Sequence, residues 1–291
     1  MYDYNEEEAK KEEESRLRYG PIEYWDTSKV TEMDSLFEGD KEFNEDISLW
    51  DVSNVTTMDY MFQEATCFNQ PLESWNVSKV KSMRFMFHEV YSFNKPLAAW
   101  NVSSVTDMRG MFHGASQFNQ PIENWDVSNV QDMSKMFSNT FRFNQPLGKW
   151  NVSKVTLMND MFHFSSSFDQ TIGTWDVSNV KTMENMFAGS PKFNQPIGDW
   201  DVSNVESMHG MFFQAENFNQ PIGKWDVSKV TRMSYMFCKA ERFNQPIAEW
   251  NVSNVQESQY MFSEAWCFKQ LNLNIGSLFT PRIFGCWSGP C

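Results

Sequence analysis

Residues 225–249 read WDVSKVTRMSYMFCKAERFNQPIAE, and most of the chain consists of variants of this phrase. Its tryptophan recurs at every twenty-fifth position from Trp25 to Trp250, ten times without a change of register. A fixed period between about 20 and 50 residues is typical of a solenoid, in which each repeat is one coil stacked on its neighbours. The sequence therefore predicts one elongated domain of about ten stacked coils. The coils are numbered in chain order, and the first begins at Trp25.

The apolar residues change their spacing along each coil. Trp225 and Val227 are two positions apart, as in a short strand whose alternate side chains face inward. From Val230 to Phe237 the apolar spacing is helical, and Ser228 stands where a helix N-cap belongs. We therefore predict an α/β solenoid, a leucine-rich-repeat-like right-handed coil. Each repeat is predicted to hold a short strand (Trp-Asp/Asn-Val) and a short α- or 3-10 helix (Val-x-x-Met-x-x-Met-Phe).

The repeats divide the chain into three predicted parts. Residues 1–19 are a charged N-terminal arm, either helical or disordered, with charge pairs such as Glu6 and Lys10 but almost no apolar stripe. Residues 20–270 form the repeat solenoid. Residues 271–291 follow a last repeat that departs from the pattern at Ser258 and Lys269, and their apolar side chains predict a C-terminal cap or tail.

The formal net charge of −14 bears on the partners of the chain. Nucleic-acid phosphates and anionic membranes attract basic surfaces, so we expect no nucleic-acid partner and no membrane insertion. No apolar stretch approaches the roughly 18 residues of a membrane span, and no signal peptide is visible, which predicts a soluble, cytoplasmic chain as given. Five cysteines are too few for a disulfide scaffold, and Cys286 and Cys291 either form a local bridge or are free thiols.

The residues on either side of each tryptophan are the predicted binding surface. If tryptophan and the valine after it face inward, their neighbours face outward from the strand. The residue before tryptophan varies, whereas the residue after it is always Asp or Asn. A rigid frame with changing side chains suits recognition, although an Asp/Asn column would equally cap turns. The predicted partner-binding residues are Asp126, Lys149, Asp176, Asp199, Asp201, Lys224, Asp226 and Glu249.

A column of asparagines that includes Asn144 and Asn194 lies nineteen residues after the tryptophan in eight of the coils. We predict that these side-chain amides bond turn backbone groups in the next coil. Asp169 interrupts the column. Because an ionised carboxylate has no donor, we expect either a looser sixth coil or a partly protonated Asp169.

Motifs for catalysis and for cofactors are missing from the sequence. It contains no nucleophile, base and orienter set, no phosphate-binding glycine loop and no calcium signature. Methionines such as Met208 and Met211 have the spacing of core residues. His88 and His113 lack cysteine or carboxylate partners at metal-binding spacing. We therefore predict a protein that is not an enzyme and has neither a cofactor nor a metal.

The phrase Trp-Asp-Val-Ser-Asn-Val-x-x-Met-x-x-Met-Phe followed by Phe-Asn-Gln-Pro-Ile resembles the repeat of the BspA-like leucine-rich-repeat surface proteins, a tandem repeat of unknown function first noted in mycoplasma lipoproteins. The resemblance extends from Gly20 to about Phe268. It implies a leucine-rich-repeat-like solenoid used for adhesion or protein binding, without enzymatic activity, and it allows a place on the cell surface.

Two functions follow as hypotheses. The first is a scaffold for interaction or adhesion that presents a rigid repeat surface to a protein or glycan partner. The alternative is a structural building block that self-assembles or packs into a larger shell or surface layer; the oligomeric state is left open. A third possibility, binding to a periodic solid such as ice, is disfavoured because the variable column contains a single threonine, Thr174.

Overall fold

The computed structural model describes residues 17–269. In this range the chain winds into a solenoid in which every coil contacts the next one at the same positions. Nine isolated parallel β-bridges connect the ten coils, from Glu32 with Thr57 to Arg232 with Glu257. The bridged residue lies seven positions after the tryptophan in each coil. The predicted repeat solenoid is therefore confirmed.

The coils are joined by a ladder of backbone hydrogen bonds. The N–H groups of Met58 and Tyr60 donate to the carbonyl oxygens of Ser82 and Arg84 in the next coil, at 3.1 and 2.7 Å. The N–H groups of Phe62 and Glu64 continue the ladder, and corresponding bonds recur along the solenoid. Met61 and Gln63, which lie between the later donors, bond within their own coil, as Met61 N–H does to the Met58 carbonyl at 3.3 Å. Alternate donors thus serve the neighbouring coil and the local turn.

The strand and helix predicted within each coil are both wrong for the described residues. The Trp-Asp/Asn-Val segment takes part in no β-bridge, and the parallel bridges lie where the helix was expected. The Met-x-x-Met-Phe segment forms consecutive turns. Within the described range, helical geometry is confined to residues 17–19 and the 3-10 helix Ile22–Tyr24. The handedness of the coil stays a prediction.

The backbone angle φ explains why the helix does not form. In each coil the residues ten and fourteen positions after the tryptophan have positive φ, for example Tyr60 at 60° and Glu64 at 59°. A right-handed helix requires negative φ, so it cannot continue through residues with positive φ. Glycine and asparagine recur at the same two positions, as in Gly110, Gly114 and Asn139. Both residue types favour the left-handed region, so this was the sequence signal for turns.

Columns of identical apolar side chains form the core. The tryptophans from Trp50 onward, the valines, methionines and phenylalanines predicted to face inward are buried in most coils. Phenylalanines of successive coils stack with parallel rings, as Phe62 and Phe87 do at a centroid separation of 5.6 Å. Tryptophans stack in the same way, with Trp100 and Trp125 at 6.4 Å. A single coil cannot bury these faces alone, which is why the phrase must repeat.

Two polar ladders run beside the core. Each indole from Trp50 onward donates its Nε1–H to the carbonyl oxygen 28 residues earlier, as Trp100 does to Leu72 at 2.8 Å. The asparagine column accepts backbone hydrogen bonds through Oδ1, as Asn144 does from the N–H of Asp169 at 3.0 Å. The predicted asparagine ladder is therefore present.

Asp169 does not loosen the sixth coil. Its Oδ1 accepts from the N–H of Asn194 at 3.0 Å and from Gln195 Nε2 at 2.8 Å, as asparagines do elsewhere in the column. The ladder uses only an acceptor at this position, and a carboxylate oxygen supplies it as an amide oxygen does.

The structure describes only part of the residues on either side of the predicted domain boundaries. Most of the arm at 1–19 and all of the tail at 271–291 lie outside the described residues. Trp50 Nε1 donates to the Ile22 carbonyl at 2.8 Å, so Ile22 already contacts the second coil, and the boundaries stay predictions. In the part of the chain that the structure describes, no helix has the length and apolar character needed to cross a membrane.

Candidate recognition surface

All eight residues predicted to bind a partner are exposed, and each lies within one position of a buried tryptophan. The prediction that these side chains point outward is confirmed. The surface that they form is not the face of a strand, because the segment around tryptophan has no β-bridge. Its regularity comes instead from the indole and backbone ladders below it.

The Asp/Asn column after tryptophan caps a turn in every coil. In the seventh coil, Asp176 Oδ1 accepts from the Ser178 N–H at 3.1 Å and from its Oγ–H at 2.6 Å. The other nine Asp or Asn residues accept the same bond from the serine N–H two positions later. These serine hydrogen bonds lower the pKa of Asp126, Asp176 and Asp226 below the usual value. This column therefore has a structural role in addition to its exposure.

The column before tryptophan differs more from coil to coil. Lys149 Nζ lies 3.2 Å from Glu123 Oε2, and Thr174 Oγ1 donates to the Gly148 carbonyl at 3.0 Å. Asp199, Lys224 and Glu249 continue the column with alternating charge. Because the coils hold these side chains at fixed intervals, the column presents a charge pattern on a regular frame.

A second charged surface lies beside the β-bridges, and the sequence reasoning missed it. Arg232 joins two carboxylates, with Nη1 at 2.7 Å from Glu184 Oε1 and Nε at 3.3 Å from Glu257 Oε2. Arg84 lies between Asp59 and Asp107 at 3.9 and 3.8 Å. Asp59 and Glu257 lie one 25-residue repeat from their arginine, so comparing residues at equal phase would have found these two neighbours. Glu184 lies 48 residues from Arg232, and such a comparison would have missed it.

A notch on another side of the solenoid was also missed. It has a volume of about 350 Å³ and is lined by Glu89, Tyr91, His113, Gly114, Asn139 and Phe141. These residues come from the third, fourth and fifth coils. Gly114 and Ser116 give the fourth coil small side chains between the larger ones of its neighbours. The notch is therefore a local break in the surface and not a feature of every coil.

The histidines near this notch are held neutral at pH 7. Burial, then the nearby His88 and Lys135, lowers the pKa of His113 from 6.5 to about 4. Burial also lowers the pKa of His88 and His163. The rings of His88 and His113 are 4.7 Å apart, so a proton on one disfavours a proton on the other.

Acidification from pH 7 to pH 5 is expected to destabilise the protein. The folded pKa of His113 lies below its unfolded value, so folded molecules bind fewer protons, and stability falls as the pH drops from 6.5 towards about 4. We expect a loss of about 1 kcal/mol from this partly exposed ring. Urea unfolding at the two pH values measures it.

The matched variant is His113→Gln, because Gln63 occupies the same position in the second coil. This variant should lose less stability on acidification than the wild type does. The carboxylates with lowered pKa, such as Asp176, respond only below 3.8 and do not obscure the comparison. Asp107, whose pKa is raised by burial, opposes the histidines at the acidic end. An identical pH dependence in wild type and variant would contradict the assignment to His113.

Metal binding finds no support in the side chains of residues 17–269. They contain no group of three or more His, Cys, Asp and Glu residues placed to hold a metal ion. Cys67 and Cys238 are free thiols, the first exposed and the second buried.

One known family matches the whole repeat region. The profile described as "Mycoplasma protein of unknown function, DUF285" matches residues 8–120, 96–191 and 163–275. The chain belongs to this family. The part of the predicted resemblance that named a mycoplasma-type tandem repeat is confirmed, and the family description assigns no function.

Comparisons with individual proteins add little. No curated protein sequence matches the chain. Among solved structures, the crystal structure of a TLR13–ssRNA13 complex is similar over 75% of this chain and 45% of that one, with 11% sequence identity and a TM-score of 0.21. The chain thus spans less than half of that protein's length.

Proposed function

We propose that this protein is a non-enzymatic scaffold that presents the tryptophan-flanking surface to a protein or glycan partner. The observation that carries the proposal is the contrast between an invariant frame and a variable exposed column. Indole and backbone hydrogen bonds recur in coil after coil, whereas the exposed residue before tryptophan changes from Lys149 to Asp199 to Glu249. A surface held rigid before binding loses little entropy when a partner docks.

The finer family assignment supports the same proposal. The repeat phrase resembles that of BspA-like surface proteins, which implies adhesion or protein binding. The acidic character of the surface around Asp176 and Asp201 favours a partner with a basic or neutral contact region. No catalytic constellation was identified in the sequence, which agrees with a binding role.

A charge-reversal experiment tests the proposal. Immobilised protein is incubated with an extract of the source organism, and the retained partner is identified and its affinity measured. The double variant Asp176→Lys/Asp201→Lys should weaken that affinity about tenfold or more.

Asparagine supplies the matched control, since it caps the same turn at Asn151 and Asn251. Asp176→Asn/Asp201→Asn keeps the turn and removes only the charge, so it should bind with intermediate affinity. Failure to retain any partner, or equal affinity in all three proteins, would count against this surface.

Self-assembly is the second candidate function, and one observation favours it. The first coil and the residue before it expose large apolar side chains, with Tyr24 at 70%, Trp25 at 40%, Leu36 at 48% and Leu49 at 69%. Exposed apolar side chains at the end of a solenoid suit contact with another copy or another coil. Sedimentation of the wild type over a range of concentrations distinguishes the two functions, because assembly requires oligomers that survive the Asp-to-Lys changes.

A further inference from the structure

The notch in the fourth coil has the construction of a small ligand site. Tyr91 and Phe141 occupy the same position in the third and fifth coils, and about half of each side chain is exposed, 45% and 48%. The fourth coil has Ser116 at that position. Two aromatic side chains therefore border a gap one coil wide. Its volume of about 350 Å³ falls at the lower end of the range of ligand pockets.

Polar groups line the floor of the gap. Asn139 Nδ2 lies 3.4 Å from His113 Nε2, and Tyr91 OH donates to Glu89 Oε2 at 3.0 Å. Amide, imidazole and carboxylate groups together supply both donors and acceptors. Gly114 lets the Glu89 side chain lie close against the fourth coil, because a Cβ at this position would meet Glu89 Cγ at 3.1 Å.

The charge of the gap argues for a neutral ligand. Both oxygens of the Glu89 carboxylate face groups of the protein, since Oε2 accepts from Tyr91 OH and His88 Nε2 lies 3.7 Å from Oε1. Among the residues that line the notch, Glu89 is the one with a formal charge at pH 7, because His113 is uncharged there. An anionic ligand would meet this carboxylate, and a cation would have to compete with Tyr91 for it.

We propose that this notch binds one ring of a neutral oligosaccharide, between Tyr91 and Phe141 and above Asn139 and His113. A pyranose ring has apolar C–H faces that pack on aromatic side chains and hydroxyl groups at its rim that bond the amide and imidazole. This site is separate from the tryptophan-flanking surface and does not depend on the function proposed for that surface.

Titration calorimetry with the full chain and four probes, maltotriose, cellotriose, chitotriose and mannotriose, tests the site. At least one probe should bind with a Kd of about 1 mM or tighter. p-Cresol and tetramethylammonium chloride serve as probes for a flat apolar ligand and a cation. Binding of either of these without any trisaccharide, or of no probe, would overturn the proposal.

Substitutions that the repeat already tolerates locate the binding. Tyr91→Ser/Phe141→Ser introduces the residue found at the same position as Ser116 and Ser166, and should weaken trisaccharide binding at least about tenfold. Gly114→Asn places a side chain in the notch and against Glu89, with Asn139 as the precedent for asparagine at this positive-φ position, and should weaken binding similarly.

Two control variants test whether the saccharide binds at another place on the solenoid. Tyr235→Ser removes an exposed aromatic side chain outside the notch, with Ser35 as the precedent, and should leave the trisaccharide affinity unchanged. Asp176→Lys/Asp201→Lys should also leave it unchanged. A loss of affinity in either control, or retained affinity in both notch variants, would place the saccharide elsewhere and refute the assignment.

Discussion

Phe137→Ala is expected to lower the free energy of unfolding by about 3–5 kcal/mol. Phe137 is fully buried in the middle of the phenylalanine column. Its ring stacks on Phe112 at 5.8 Å and on Phe162 at 5.6 Å, and Phe143 of its own coil lies 4.2 Å away. Removing the ring leaves a cavity shared by three coils, which the hydrogen-bonded ladders prevent from closing.

Urea unfolding followed by circular dichroism measures this loss, and amide hydrogen exchange locates it. Since each coil contacts only its neighbours, protection should fall most in the fourth to sixth coils. Phe141→Ala is the matched control, because Phe141 belongs to the same coil and is 48% exposed. We expect this control to change stability by about 0.5 kcal/mol or less. Equal unfolding curves for the two variants would show that the column does not hold the coils together.

Asn144→Leu is expected to destabilise the protein by about 2 kcal/mol, whereas Asn144→Asp should cost under about 0.5 kcal/mol. Asn144 Oδ1 accepts from the Asp169 N–H at 3.0 Å and from Gln170 Nε2 at 3.1 Å. Leucine has a similar volume but leaves both donors without this acceptor. Aspartate keeps it, as Asp169 already does one coil later.

Thermal and urea unfolding of both variants at pH 7 measure the difference. The two substitutions are matched because they alter the same partly buried position. If Asn144→Asp proved as destabilising as Asn144→Leu, the ladder would depend on the amide donor and not on the oxygen acceptor. If neither variant changed stability, the asparagine column would contribute nothing measurable to the stability of the fold.

The sequence predicted the coil, its period and its buried columns because these depend on spacing alone. Trp225, Val227, Met233 and Phe237 are buried as expected. The local backbone was predicted wrongly because turns with two positive-φ residues reproduce the apolar spacing of a helix. The informative positions were the ones that the apolar pattern ignores, where Gly110 and Gly114 recur with positive φ.

The candidate surfaces show the same division. Exposure of Asp176 and Lys224 followed from the burial of the tryptophans beside them, so it was predictable from one coil. The notch was not, because it requires Tyr91, Gly114 and Phe141 from three successive coils to be compared at once. The notch arises because successive coils carry different residues at the same position. A consensus repeat does not show such differences.

The hydrogen bonds between coils hold successive coils at a constant spacing. Every coil repeats the same contacts at one fixed step, seen as 6.4 Å between Trp100 and Trp125 and again between Trp175 and Trp200. Two features on the same column are therefore separated by whole steps. Gain or loss of one 25-residue repeat between them would change their separation by one coil spacing and leave the immediate surroundings of each feature unchanged. The distance between two binding features can therefore change without any change in the residues that form them.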